Sequence, residues 1–257
     1  AVSAVETQVQ LVAADPAGPA QVAALHALAA RLAEREAAVP RSARPGRIAV
    51  LPTQLTFHQA WELVEAPRPM WALLGVGGDE LEPVGADLRG DQPTFLVAGP
   101  GRSGRSTALC VMTESLLRGG TEVVIGAPLR SPLRDFAGRP GVRGVITGEA
   151  PKEAHFAELL EPGAGPVVLV VDDAETWRDL TCRDWLRAFV RTASGTGRGV
   201  ILGGDVASVA AGFSGWQVEV KKNRRGALLS PPTMNDGDLV GVRLARSQLA
   251  ARVVPGA

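Results

Sequence analysis

The chain has 257 residues, enough for one large domain or a domain with an appendage, and its 46% apolar content is ample for a packed core. Its 27 basic and 27 acidic side chains cancel, which argues against a generally basic nucleic-acid-binding surface and leaves only a local patch open. No apolar run approaches a membrane span, no signal-peptide pattern opens the chain, and Cys110 and Cys182 show neither metal spacing nor a CxxC pair. A soluble chain is expected, with no demand for an oxidising compartment.

The first segment, VETQVQLVAAD, alternates like a strand over Glu6 to Val12. GPAQVAALHALAARLAERE then repeats apolar residues at Val22, Leu25, Leu28, Ala29 and Leu32, a helical stripe with Pro19 in the first turn. His26 sits beside that stripe and is read as a boundary residue. AAVPRSARPG is a linker. Residues 1–46 therefore form an N-terminal strand, linker helix and linker, and 47–257 the main domain. Ala1 in place of an initiator methionine, and the abrupt end at VVPGA, fit a piece of a longer protein.

The main domain opens with a short strand at RIAVLP and a short helix at FHQAWELVE. MWALLGVGGDELEPVGADL reads as two strands joined at Gly77-Gly78-Asp79. From Pro93 apolar strands alternate with helices. TFLVAG leads to a helix over 106–118, and EVVIGA to an arginine-rich loop. VRGVIT leads to PKEAHFAELLE, PVVLVVDD to CRDWLRAFVRTA, and GVILGGD follows. This order predicts an α/β fold, a mostly parallel sheet with helices on both faces. The stretch GWQVEVKKNRRGALLSP reads as a hairpin with its tip near Asn223 to Gly226, and GDLVGVRLA would close the domain.

The chemistry concentrates in FLVAGPGRSGRST, Phe95 to Thr107. Gly99, Pro100, Gly101, Arg102, Ser103, Gly104, Arg105, Ser106 and Thr107 have the spacing of a phosphate-binding loop, in which backbone N–H groups and a helix N-terminus converge on phosphate oxygens. Ser106 is placed as a magnesium ligand. Arg105 stands where the pattern asks for lysine. A planar fork replaces a compact ammonium there, able to pair with phosphate, crowd the loop or fold back over it.

The second signal is PVVLVVDD. An acid at the end of such a strand holds magnesium in P-loop proteins, which assigns Asp172 to Mg²⁺. Asp173 then occupies the place of the glutamate that polarises the attacking water, one methylene short. Another strand is expected between the two motif strands. Asp205, ending GVILGGD, is read either as a polar sensor or as the cap of the next helix.

Arg224 and Arg225, with Lys221 and Lys222, form the only short basic cluster, a solvated tip or a source of an arginine finger for a neighbour. Arg130, Arg134, Arg139 and Arg143 are irregularly spaced and read as a polar surface. Trp177 is placed either near the nucleotide mouth or in the core.

GPGRSGRST, VVLVVDD and the stretch from Gly215 to Ala245 resemble an FtsK/SpoIIIE-type ATPase module. More narrowly they resemble the C-terminal ATPase module of EccC-type proteins of type VII secretion. That resemblance implies a RecA/FtsK-like P-loop fold using ATP and Mg²⁺. It implies a cytoplasmic module of a protein associated with the inner membrane, and a homo-oligomer in the full-length protein. It also implies partners: preceding ATPase modules of the same chain, and WXG-type helical-hairpin substrates. Residues 1–46 would then include the end of a preceding module. Arg105 and Asp173 depart from an active motor. The leading expectation is a degenerate ATP-binding module with a regulatory or substrate-docking role. The alternatives are an active translocase acting on double-stranded DNA, and a structural domain that binds no nucleotide.

Overall fold

The computed structural model describes residues 11–36, 39, 49–160, 165–211 and 215–253. The chain divides into two compact units, Ala1–Ile48 and Ala49–Ala257. In the first, helix α1 spans Gly18–Arg35 with proline in its first turn. The Gln21 side chain takes N–H bonds from Val12 at 2.9 Å and Ala13 at 3.2 Å, which fastens the entering chain to the helix. The strand expected over Glu6 to Val12 falls mostly outside the described residues, and Leu11 and Val12 are not in a strand.

In the second unit, α2 (Phe57–Glu62) starts at a Thr56–Gln59 capping box. Strands β1 (Trp71–Gly77) and β2 (Glu82–Asp87) form an antiparallel hairpin. Its Leu73 N–H is anchored to the Ser115 hydroxyl at 2.8 Å. Next come β3 (Thr94–Ala98), α3 (Arg105–Arg118), β4 (Glu122–Ala127), β5 (Val142–Thr147), α4 (Glu153–Leu160), β6 (Val167–Val171), α5 (Arg183–Arg191) and β7 (Arg198–Gly204). The short helices α6 (Val206–Ala211) and α7 (Gln217–Lys222) and the strand β8 (Gly226–Leu228) complete the order.

Among the described residues the main sheet has six parallel strands in the order β5-β4-β6-β7-β3-β8. The loop strand β3 and the Asp172 strand β6 are thus separated by β7, as the motifs required. The central strands β3, β4, β6 and β7 are largely apolar and buried because both faces are covered. Phe95, Val97, Val123, Ile125, Val168, Val170 and Ile201 pack with Leu109, Met112 and Leu116 of α3. Leu96, Ala98, Val124, Leu169, Val171, Val200 and Leu202 pack with Phe156, Trp177, Leu186 and Trp216.

Two sequence expectations need correction. Residues 49–52 of RIAVLP are not in a strand, although Ala49 N–H bonds Asp79 O at 2.7 Å. The expected hairpin over GWQVEVKKNRRGALLSP is a helix followed by a strand parallel to β3. VEVKK alternates like a strand, but Trp216, Gln217, Glu219 and Val220 are the buried set, a helical spacing that ties α7 to the sheet. GDLVGVRLA begins in a 3₁₀ helix over Met234–Val240 and has no strand.

Candidate functional site

The C-terminal ends of β3, β4, β6 and β7 lie along one sheet edge, with Ala98 beside Gly204, Val171 beside Leu202, and Gly126 beside Val171. In open parallel sheets this edge is where ligands bind. It gathers residues 99–107, Asp172, Asp173 and Asp205.

The loop has the backbone an anion needs. Arg102 and Gly104 take φ of 66° and 97°, with Ser103 between them outside the left-handed region. Such alternation turns successive N–H groups toward one concavity. Gly99 is required by space, because a Cβ there would meet Ser103 Oγ at 2.5 Å and Leu229 O at 2.6 Å. Gly104 opens α3 with no side-chain cap, which leaves the helix N–H groups to whatever occupies the loop. The backbone therefore fits a phosphate.

One half of the site is a hydroxyl–carboxylate cluster. Asp172 is fully buried. Its Oδ2 accepts from Ser106 Oγ at 2.6 Å and from Ser131 Oγ at 2.7 Å, and its Oδ1 accepts Asp173 N–H at 3.0 Å. One serine hydroxyl and one carboxylate are a suitable protein contribution to magnesium, which normally keeps waters and substrate phosphates as its other ligands. Among the described residues no group of three or more His, Cys, Asp or Glu is arranged for a metal, so an all-protein metal cage is not indicated there. The nearby Cys110 thiol is pushed up to about 11 by burial, then by Asp172 and Asp135, and stays protonated.

The other half is an ion-pair cluster around Arg105. Its Nη1 donates to Gly99 O at 3.2 Å, and its Nη2 to Asp173 Oδ1 at 3.1 Å. Glu175 Oε1 lies 3.9 Å from Nη1. The guanidinium is folded back across the root of the loop. Asp173 has a left-handed φ of 44° and starts the 3₁₀ turn Ala174–Trp177. Burial raises the Asp173 carboxyl above its ordinary pKa, helped by repulsion from Asp172 and Glu175 and opposed by Arg105. Glu175 reaches across to the end of β7, accepting Asp205 N–H at 3.3 Å on each oxygen.

Of the remaining expected residues, Pro100 is half-buried, Gly101, Arg102 and Thr107 are exposed, and Ser103 is buried within the loop. Asp205 Oδ1 accepts Ser208 N–H at 3.0 Å, the geometry of a cap on α6. Arg224 and Arg225 precede β8 at the opposite edge of the sheet, with Arg225 O accepting Leu96 N–H. The Arg225 guanidinium bonds Gln92 O at 2.5 Å and Asp87 O at 2.9 Å, while Arg224 is exposed. Lys221 Nζ bonds Val209 O at 2.6 Å, and Lys222 pairs with Glu219 at 2.7 Å.

Trp177 is fully buried, edge-on to Phe156, with its N–H on Gly148 O at 2.8 Å, so it belongs to the core. Arg134 bonds Ala127 O at 2.8 Å and Pro128 O at 3.1 Å, pinning the exit of β4. Arg139 pairs with Glu114 and Arg143 with Glu122, each at 2.6 Å. Sequence reasoning missed Ser131 and Glu175. A serine following a β4-end arginine, and an acid three positions after Asp172, were the available signals.

No protein-family model matches the sequence, and no curated protein does. Solved structures do. EssC (ATPases 2 and 3) from Geobacillus thermodenitrificans is 20% identical, with TM-score 0.67 over 94% of this chain and 48% of that one. The cytoplasmic domain of EssC gives 19% identity and TM-score 0.60, over 99% and 51% of the two chains. Thermomonospora curvata EccC (ATPases 2 and 3), in complex with a signal sequence peptide, gives 18% and 0.58, over 91% and 44%. The fold is that of an EssC/EccC ATPase module. The chain spans about half the length of the EssC structures it matches. Among the described residues, no helix of this EssC/EccC-like chain is long and apolar enough to cross a membrane.

Proposed function

We propose that residues 47–257 form a degenerate ATP-binding module of a type VII secretion ATPase of the EccC/EssC kind, regulatory or substrate-docking in role, with weak or no hydrolysis of its own. The observation that carries this reading is the seat of Arg105, paired with Asp173 and near Glu175 rather than directed along an open loop. ATP supplies the phosphate chain in such a site and magnesium the charge that offsets it. Residues 99–107 would bind phosphate through backbone N–H groups, with Ser106 and Asp172 holding the metal.

Arg105 neutralises the acid that would serve as general base and occupies the root of the loop. Asp173 is short, fixed by its own backbone turn and engaged by that arginine. About an ångström of misplacement costs ~10²-fold in rate, so turnover should be negligible. Partners in this reading are preceding ATPase modules of a longer, membrane-associated chain, further copies of that chain, and WXG-type helical-hairpin substrates. The peptide-bound EccC neighbour supports a substrate role. The internal engagement of Lys221, Lys222 and Arg225 weighs against DNA translocation.

The test is calorimetry with millimolar ATP and Mg²⁺, followed by steady-state phosphate release. A weak, phosphate-dependent signal with negligible turnover is expected. No signal with ATP, ADP or pyrophosphate would leave a structural domain. Brisk wild-type turnover, lost in Arg105→Ala, would make this arginine a functional replacement for lysine and the module an intact motor.

A further inference from the structure

We propose that Ser131 is a positioning residue for the magnesium site, holding Asp172 in the orientation at which Ser106 and the carboxylate share one ion. This rests on the nucleotide reading above and adds a residue to it. Asp172 has no contact with solvent, so its orientation is set by protein groups alone. A carboxylate offers roughly four acceptor directions. Three are taken: Ser106 Oγ from α3, Ser131 Oγ from the segment after β4, and Asp173 N–H from its own chain. The donors come from separate parts of the fold, and both hydroxyls meet on Oδ2 while Oδ1 takes the single N–H.

Ser131 is built to direct its proton there. Its Oγ accepts Leu133 N–H at 3.3 Å, starting the 3₁₀ turn Pro132–Phe136. That bond fixes the oxygen and leaves the hydroxyl hydrogen for Asp172. A residue serving only to cap the turn needs an acceptor oxygen, not a donor aimed at a buried carboxylate across 41 positions of sequence. Arg134, clamped on Ala127 O and Pro128 O, prevents the segment from drifting away. Partners of a ligating carboxylate typically contribute 10- to 100-fold to metal affinity.

The experiment measures binding of a fluorescent ATP analogue to the whole chain while Mg²⁺ is titrated, with a parallel series in EDTA. Ser131→Ala should raise the Mg²⁺ midpoint by about tenfold or more and leave metal-free binding within about twofold of wild type. Ser131→Thr, which keeps the hydroxyl, should restore the midpoint. An unchanged midpoint in Ser131→Ala overturns the role of Ser131 while leaving nucleotide binding intact. A wild type that binds no analogue overturns the nucleotide reading itself, and this role with it. Buried-tryptophan emission checks folding of each variant. If Ser131→Ala does not fold, Ser131→Cys makes the comparison: its weaker donor should raise the midpoint, and a wild-type midpoint there overturns the proposal.

Discussion

The two halves of the site sit side by side at one sheet edge yet differ in kind. Around Asp172, two hydroxyls and one N–H converge on a buried carboxylate. Around Arg105, one cation is shared among Asp173, Glu175 and a backbone carbonyl. The first half has the residue types of a metal-dependent phosphate site. The second has those of a closed ion-pair cluster. Loss of chemistry in such a fold need not spread. In the function proposed above it is confined to the lysine and general-base positions, while the loop backbone and the Asp172 carboxylate keep their form.

The largest effect should follow breaking the first half. Asp172→Ala removes the acceptor of three donors at a fully buried position, and each stranded buried donor costs about 1–3 kcal/mol. A loss of roughly 2–4 kcal/mol in urea unfolding is expected after partial relaxation, with Mg²⁺-dependent binding abolished. A cost below about 1 kcal/mol would mean that water replaces the carboxylate and the cluster is not a unit.

Next in size is the second half. Arg105→Lys should release Asp173 and tighten ATP binding by about tenfold, ~1.4 kcal/mol, because lysine restores a compact charge under the phosphates. Asp173→Glu alone should change turnover little, since a longer base cannot help while Arg105 holds it. Phosphate release from both single variants and the double variant should be non-additive, as groups acting on one step are. Additive effects would separate the two residues and dissolve the cluster as one element.

A smaller effect is the pairing energy itself. A double-mutant cycle with Arg105→Met and Asp173→Asn should give a coupling of about 1 kcal/mol, at the upper end of exposed pairs because both side chains are largely buried. The same cycle with Glu175→Gln should give less, because that contact is 3.9 Å. Equal couplings would place the guanidinium midway between the acids. The pH dependence has a defined sign. The folded Asp173 carboxyl is raised by burial first, so its contribution to stability is full below the unfolded pKa and is lost as pH rises through the raised folded value. The wild type should therefore lose stability relative to Asp173→Asn as pH rises from about 4, the ordinary aspartate value, through the raised folded value, read as urea midpoints at each pH. An opposite slope would mean that Arg105 outweighs burial.

Much of the fold was legible because it rests on short-range rules. Continuous apolar runs such as VVLVV and GVILG marked strands covered on both faces, and the glycine spacing marked the turn at Gly99 and Gly104. The order of β3, β7 and β6 followed from the motif class. Elements decided by tertiary contact were less legible. VEVKK has a strand's alternation but becomes α7, because Trp216 and Val220 are buried together on one side. Within the site, Gly99, Gly104, Ser106 and Asp172 come from spacing along the chain. Ser131 meets Asp172 across 41 positions, and the Arg105–Asp173 pair spans 68, so only the packed sheet brings them together. Glu175, 3.9 Å from Arg105, left only the signal of an acid three positions after Asp172, too common a spacing to read without the fold.

The smallest expected effect concerns DNA, and it separates the fold's two edges. The cluster KKNRR lies away from the loop, and its charges have internal duties. Lys221 holds the end of α6 through Val209 O, and burial first, then Arg178, lowers its pKa. Lys222 and Arg187 bracket Glu219, where their hydrogen bonds outweigh burial and hold the carboxyl below its ordinary range. Arg225 joins Gln92 O and Asp87 O at the entry to β3. Of the four, Lys222 and Arg224 are exposed, and Lys222 is paired with Glu219. With zero net charge and three of these four cations engaged internally, duplex binding at physiological salt should be weak, roughly 10⁻⁴ M or poorer. Neutralising Lys221, Lys222, Arg224 and Arg225 together should barely change it, yet should lower the urea midpoint through the lost internal bonds. Submicromolar duplex binding with a steep salt dependence, abolished by those four changes, would instead make this edge a nucleic-acid surface and restore the translocase reading.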